Sequence, residues 1–509
     1  MMPPQVKSSD KAWNSFFLPQ AWEISTRPWL YKLSQKYGKT ITLNNVPFEE
    51  LETIIKKGVK IIWLMGIWSL GKYGLQFDRT NHDLLKNYGQ VLPDFCEEDI
   101  IGSPFAVTSY DINPEVGTLE GLTNLKRKLN SNGIKLMTDF VPNHTAVDAS
   151  WVTQNPDYYV RAPKDLPPPY SPELFTPSGF AYGNSGYGAW HDTLQLNYWN
   201  SNLRIAQIEN LLKVAAVSDY IRCDMSHLIL NQVIEINWGK MLKSWGYSAP
   251  NSEFWTDAIK NVKIRYPNVQ FLAEAYDSYP KQLQKLGFDF TYDKTLYDLL
   301  VVGHLDNIRN YIKHTPIEYF WKTAHFVENH DEPRAAAVFG GNMRADMAAV
   351  LSMTLPGMRL FNQGQDCGYT ARLDIHLRRS KPETVNEGVQ DFYRLLYEII
   401  SSKIFHIGKW VYVDILPSSN SWRLIAWKWF LSGKSVLVVV NYSDSQGEGA
   451  IILEDAQPLS HNSTDIYLRE LMSGIVYERN VQELKNRGLY VVIPCWSCQV
   501  FQYESYLLV

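Results

Sequence analysis

Between residues 21 and 401, eight short apolar runs alternate with helix-like stretches, and that alternation most constrains what the chain can fold into. The runs cover residues 21–26, 60–65, 134–140, 219–225, 269–275, 288–292, 324–328 and 358–362. Helical periodicity lies between them, as at 48–57, 119–130, 252–266, 297–314, 343–354 and 387–401. A nearly unbroken apolar run marks a strand buried on both faces, and parallel strands need a crossover helix to return the chain. Eight such units predict an α/β fold with a closed (β/α)8 TIM barrel rather than an open sheet.

Two spans break the rhythm. Residues 145–197 are rich in Pro, Gly, Tyr and Asn, with Leu166-Pro-Pro-Pro-Tyr170 and Tyr182-Gly-Asn-Ser-Gly-Tyr-Gly188 inside them. A loop this long within a compact domain is usually functional or a small domain of its own. After Phe405 the pattern turns all-β, with strands expected at 422–430, 435–441, 450–453 and 490–503, which predicts a C-terminal antiparallel β-sandwich. The expected division is a catalytic barrel over 1–404, interrupted by an insertion at 145–197, and a sandwich over 405–509.

Composition narrows the function classes. The net charge is -4 with dispersed charges, so no basic face invites a nucleic acid. No run approaches the ~18 apolar residues of a membrane helix. The first ten residues lack the apolar core of a secretory signal, and five cysteines do not make a disulfide framework, so a cytoplasmic, reducing location is expected. Cys495-Trp-Ser-Cys498 has redox or zinc spacing but no second ligand pair. Oligomeric state stays open.

Polar and ionisable residues gather where the expected strands end, which in a barrel is the active-site face. The third run ends in Asp139-Phe-Val-Pro-Asn143-His144 and the fourth reads Tyr220-Ile-Arg222-Cys-Asp224-Met-Ser-His227. The fifth ends in Phe271-Leu-Ala-Glu274-Ala-Tyr276 and the seventh in Glu328-Asn329-His330-Asp331. Period-two alternation puts Arg222 and Asp224 on one side of a strand, where the guanidinium keeps the carboxylate ionised, as a nucleophile requires. Glu274 follows apolar residues, and desolvation raises a carboxyl toward what a general acid needs. Asp331, backed by His330, is placed to bind hydroxyls. Taken singly, these residues also have structural readings. Asp331 can cap a helix, Asn143 can serve a turn after Pro142, and Arg222–Asp224 can be a structural ion pair.

In combination the four segments resemble the α-amylase family, in the right order on the right strands. That resemblance implies Asp224 as nucleophile, Glu274 as general acid/base and Asp331 as the third catalytic carboxylate. It further implies Arg222, His144, His330 and His227 as substrate-binding residues, and an inserted domain that closes near Gln195-Leu196-Asn197. The chain departs from the pattern in places. Tyr220 stands where many members have Gly, and His227-Leu228 where many have a basic residue and His. Gly102-Ser-Pro-Phe-Ala-Val replaces a Gly-Tyr segment that often stacks on the sugar, leaving Tyr110 as the candidate ring. No cofactor is implied for the chemistry. A structural calcium ion would lean on a carboxylate where this chain has Gln195, which leaves Asn143 as the candidate metal ligand. Trp190, Tyr187, Tyr182, Tyr198, Trp199, Trp68 and Tyr276 are further candidate subsite rings, with packing in the core as the competing role.

The implied activity is retaining hydrolysis of α-glucosidic bonds in an α-1,4-glucan or maltooligosaccharide. Transglycosylation, or action on a disaccharide, uses the same site. A non-catalytic carbohydrate-binding barrel and a metal-dependent barrel hydrolase are the readings from other classes. The second lacks a histidine pair early in the barrel, since Trp22-Glu-Ile-Ser-Thr-Arg27 holds none.

Overall fold

The computed structural model describes residues 17–186, 188–458 and 463–505, so Tyr187 and the first ten residues lie outside it. Eight parallel strands close into a barrel: β1 (Gln20–Ser25), β2 (Ile61–Met65), β3 (Lys135–Phe140), β4 (Tyr220–Cys223), β5 (Gln270–Ala273), β6 (Phe290–Tyr292), β7 (Thr323–His325) and β8 (Met358–Asn362). Each expected run carries one of them. Neighbours in sequence are neighbours in the barrel, and β8 pairs with β1 through Ala21 opposite Leu360.

Period-two alternation sorts the strand residues. Trp63 and Met65 join Ala21, Met137, Leu272 and Leu360 in the lumen cluster, while Ile62 and Leu64 face the outer helices. The same rule sends Ile221 and Cys223 outward and Arg222 inward, opposite Asp139 of β3 on one side and Leu272 of β5 on the other. The helix expected at 297–314 is two, Lys294–Val302 and Leu305–His314. Gly303 separates them at φ 81°, a left-handed conformation that ends a helix at little cost only for glycine.

The insertion after β3 carries a three-stranded antiparallel sheet from His144–Ala146, Tyr182–Asn184 and Ala189–Gln195, the last in the middle. At the C-terminus a six-stranded antiparallel sheet faces a two-stranded ribbon, Gly447–Ile451 with Leu489–Ile493. In its strand Leu424–Leu431, Ile425, Trp427 and Trp429 pack on the barrel, and Leu424 and Ala426 pack against the ribbon. Trp429 Nε1 donates to the Thr354 carbonyl at 2.7 Å, which fixes the sheet to the barrel helix Asn342–Thr354. The strand expected at 490–503 is broken into Leu489–Ile493 and Ser497–Glu504, because Pro494 has no N–H to donate and Trp496 turns at φ 44°.

Candidate active site

The site grows from the ends of β3, β4 and β5. Arg222 is fully buried in the lumen, and its two terminal nitrogens divide between two acids. Nη1 donates to Asp224 Oδ1 at 2.7 Å and Nη2 to Glu274 Oε2 at 2.5 Å. A buried guanidinium is tolerable only with such pairing, and its rigid fork holds both carboxylates at once. Asp139 lies 4.0 Å from Nη1 and is itself anchored, Oδ1 accepting from Trp63 Nε1 at 3.0 Å and Oδ2 from Gly66 N at 2.8 Å.

Immediately after Asp224 the backbone of Met225 takes φ 40°, a strained conformation for a side chain of that size. Its N–H thereby donates to Glu274 Oε2 at 2.9 Å. Tyr276 Oη donates to the other oxygen, Oε1, at 2.5 Å. Glu274 therefore accepts three hydrogen bonds and Asp224 one from the same guanidinium.

The expected Arg222–Asp224 pair is present, and the guanidinium holds Glu274 as well. Burial pushes the Asp224 carboxyl up to about 8, and the charges of Glu274 and Asp331 add to burial against the pull of Arg222. Arg222 does not simply keep Asp224 ionised, because it also serves Glu274.

His330 follows β7 and bridges two acids, with Nδ1 2.5 Å from Glu23 Oε1 and Nε2 3.0 Å from Asp331 Oδ2. Burial alone would lower the imidazole, but Asp331 and Glu23 together push it up to about 10. The ring is therefore an imidazolium at neutral pH. Burial acts to raise Asp331, yet His330 holds it well below the usual carboxylate range. Two other histidines stay neutral. Burial pushes His144 down to about 4, and His227 likewise despite the nearby Glu274 and Asp277 charges.

Asp224, Glu274, Asp331, His144 and His227 all line one open cavity of about 850 Å³ on the C-terminal face of the barrel. Arg222 and His330 stand behind them. Three carboxyls and two neutral imidazoles around one cavity, with an imidazolium behind them, can bind hydroxyls and exchange protons with a bound ligand.

The family described as "Alpha amylase, catalytic domain" matches residues 105–394 by its sequence model. The chain belongs to the α-amylase family. An enzyme named Alpha-amylase 3 from Dictyoglomus thermophilum is 26% identical over 285 residues, 51% of this chain and 52% of that protein. Maltase 1 of Drosophila virilis is 25% identical over 330 residues, 52% of this chain and 49% of that one. The matches thus span about half the length of these curated relatives. The solved maltogenic α-amylase of Thermotoga neapolitana shares the fold with a TM-score of 0.68 at 18% identity, covering 96% of this chain and 99% of its own.

Against the α-amylase pattern two expectations need correcting. Tyr110 does not reach the cavity. Its hydroxyl is tied to the Val141 backbone, accepting from N at 2.9 Å and donating to O at 3.1 Å, and its ring stacks on Phe140. Phe105 lines the cavity instead, its ring 5.4 Å from His330 and 5.1 Å from the Arg222 guanidinium. Asn143 does not fit a cation site. Gln195 Nε2 donates to its Oδ1 at 2.9 Å, to its main-chain O at 3.0 Å and to Leu196 O at 3.4 Å. An amide NH2 occupies the point where three oxygens converge, so these residues do not suit a bound calcium ion.

Among the candidate rings, Trp190 and Tyr276 line the cavity. Trp68 Nε1 instead donates to Asp139 O at 2.7 Å and Tyr198 Oη to Pro142 O at 2.7 Å, while Tyr182 and Trp199 are buried in the core. Sequence reading missed Glu23, Phe105 and the Met225 N–H. Glu23 was findable, being two residues beyond lumen-facing Ala21 and the one ionisable residue of its run. The Met225 conformation leaves no such trace in the sequence.

Proposed function

We propose that the chain is a retaining glycosidase acting on α-glucosidic bonds of an α-1,4-glucan or maltooligosaccharide. The observation that carries this reading is one buried guanidinium, Arg222, holding Asp224 and Glu274 from adjacent strand ends. Two carboxyls hung from one fork suit the retaining spacing of about 5–5.5 Å rather than the 6.5–9.5 Å that admits an inverting water. Asp224 attacks the anomeric carbon while Glu274 protonates the departing oxygen. Glu274 then takes a proton from water, whose oxygen displaces the sugar from Asp224. Asp331 and His330 grip the hydroxyls of the reacting sugar. Residues 1–404 form the catalytic unit, with 145–197 as its insertion and 405–509 as the appended sandwich.

Among the described residues no helix is long and apolar enough to cross a membrane. Cys223 and Cys498 are buried free thiols, which fits a reducing cytoplasmic setting and an intracellular glucan such as glycogen. Recovery of the native protein mainly outside cells would refute that location. Product analysis with maltoheptaose and glycogen tests the activity. Shorter α-anomeric products, abolished by Asp224→Asn and by Glu274→Gln, are the expected result. Products longer than the substrate would assign the same intermediate to a sugar acceptor, and no turnover of either substrate would overturn the reading.

A further inference from the structure

A second concavity, of about 540 Å³, lies where the helix Leu305–His314 meets the C-terminal sheet. Two indoles line it. Trp422 is 52% exposed although its backbone is pinned by a hydrogen bond from Arg309 to its carbonyl, and the Arg423 guanidinium lies 4.9 Å from its ring. Trp496, which follows Cys495 in the Cys495-Trp-Ser-Cys498 segment, is held at φ 44° with its N–H donating to Ser443 O at 3.0 Å. Its ring packs edge-on against Tyr442 at 5.0 Å and lies 5.6 Å from Arg344. A bulky residue in the left-handed region is strained, and such strain persists where the surroundings hold a side chain for use.

Hydrogen-bonding groups stand between and beside the rings, chiefly the exposed Asp306, Asn307 and Asp444. Asn307 also lines the cavity that holds Asp224 and Glu274, so the groove continues the active-site cleft beyond the helix Lys294–Val302. A half-exposed indole costs free energy unless something covers it, and rings alternating with hydroxyl-binding side chains match the faces and edges of pyranose units. A protein partner would want a wider continuous apolar patch than two rings in a concave channel.

We propose that this groove is an auxiliary binding site for an α-glucan chain, in which the C-terminal sheet holds part of a long substrate whose reacting bond lies at Asp224. The ligand class rests on the glycosidase reading above. The site also gives the CxxC segment a role that is neither redox nor metal binding, namely presenting Trp496.

The test is glycogen retardation in native gels, run in the Glu274→Gln background so that the polymer survives, alongside maltotriose turnover by the Glu274 enzyme. Trp422→Ala should raise the apparent Kd for glycogen about tenfold, and Trp422→Phe should restore much of the affinity. Maltotriose, a short substrate that reports on the cleft at Asp224, should show unchanged kcat/KM. Glycogen retardation unaltered by Trp422→Ala would overturn the proposal. A parallel loss of maltotriose turnover would also overturn it, because the effect would then be structural. If the unsubstituted enzyme leaves maltotriose untouched, the glycosidase reading fails instead, and the gel still decides the groove.

Discussion

Replacing Glu23 by Gln removes one of the two charges that make His330 an imidazolium while leaving a group of the same shape. The ring is buried between Glu23 and Asp331, and its rise from 6.5 to about 10 is worth roughly 5 kcal/mol in favour of the charged form. Burial opposes that rise, so the two acids together contribute more than the net figure. Losing one acid should cost about 2–3 kcal/mol and bring the imidazole down to about 8. The sign follows from linkage. A folded-state value above the unfolded 6.5 gives stability that is complete below pH 6.5 and lost as pH rises through about 10. Denaturant unfolding of Glu23→Gln should therefore lie about 2–3 kcal/mol below the parent at pH 6, with the gap closing between about pH 8 and 10. The kcat/KM profile should lose its alkaline limb earlier, since a neutral His330 no longer presents a charged N–H beside Asp331. A stability gap that stays constant from pH 6 to 10 would refute the reasoning, because Glu23 would then contribute shape and not charge.

Three further outcomes follow from the same geometry. Arg222→Met leaves Asp224 and Glu274 buried without their common partner, so it should cost about 3–5 kcal/mol in denaturant unfolding and abolish turnover, and a merely fivefold loss of kcat would exclude the bridging role. Exhaustive chelation should leave the melting temperature unchanged, because Gln195 Nε2 already satisfies the oxygens of Asn143 and Leu196, and a fall reversed by calcium would show a cation site elsewhere. Trp429→Ala should cost about 3–5 kcal/mol by opening a void between sheet and barrel and freeing the Thr354 carbonyl, measurable as a lower denaturation midpoint.

The linear pattern alone determined the architecture. Barrel strands buried on both faces must be apolar throughout, and the helices between them must present an apolar stripe, so runs such as Ile61–Met65 announce themselves. It also determined which acids crown the barrel, since strand ends locate the active face and period two aligns Arg222 with Asp224. What it left open depends on groups far apart in sequence. Glu23 and His330 are separated by 307 positions, Asp78 and His376 by 298, and no local spacing links either pair. The choice between Tyr110 and Phe105 turned on where one loop crosses the barrel mouth. The setting of Glu274 turned on three donors converging on it, one of them a main-chain N–H turned by the strained Met225. Chain periodicity fixes which face a residue occupies. Desolvation and Coulomb energy depend on what the folded chain brings within a few ångströms of it, and only the tertiary structure decides that.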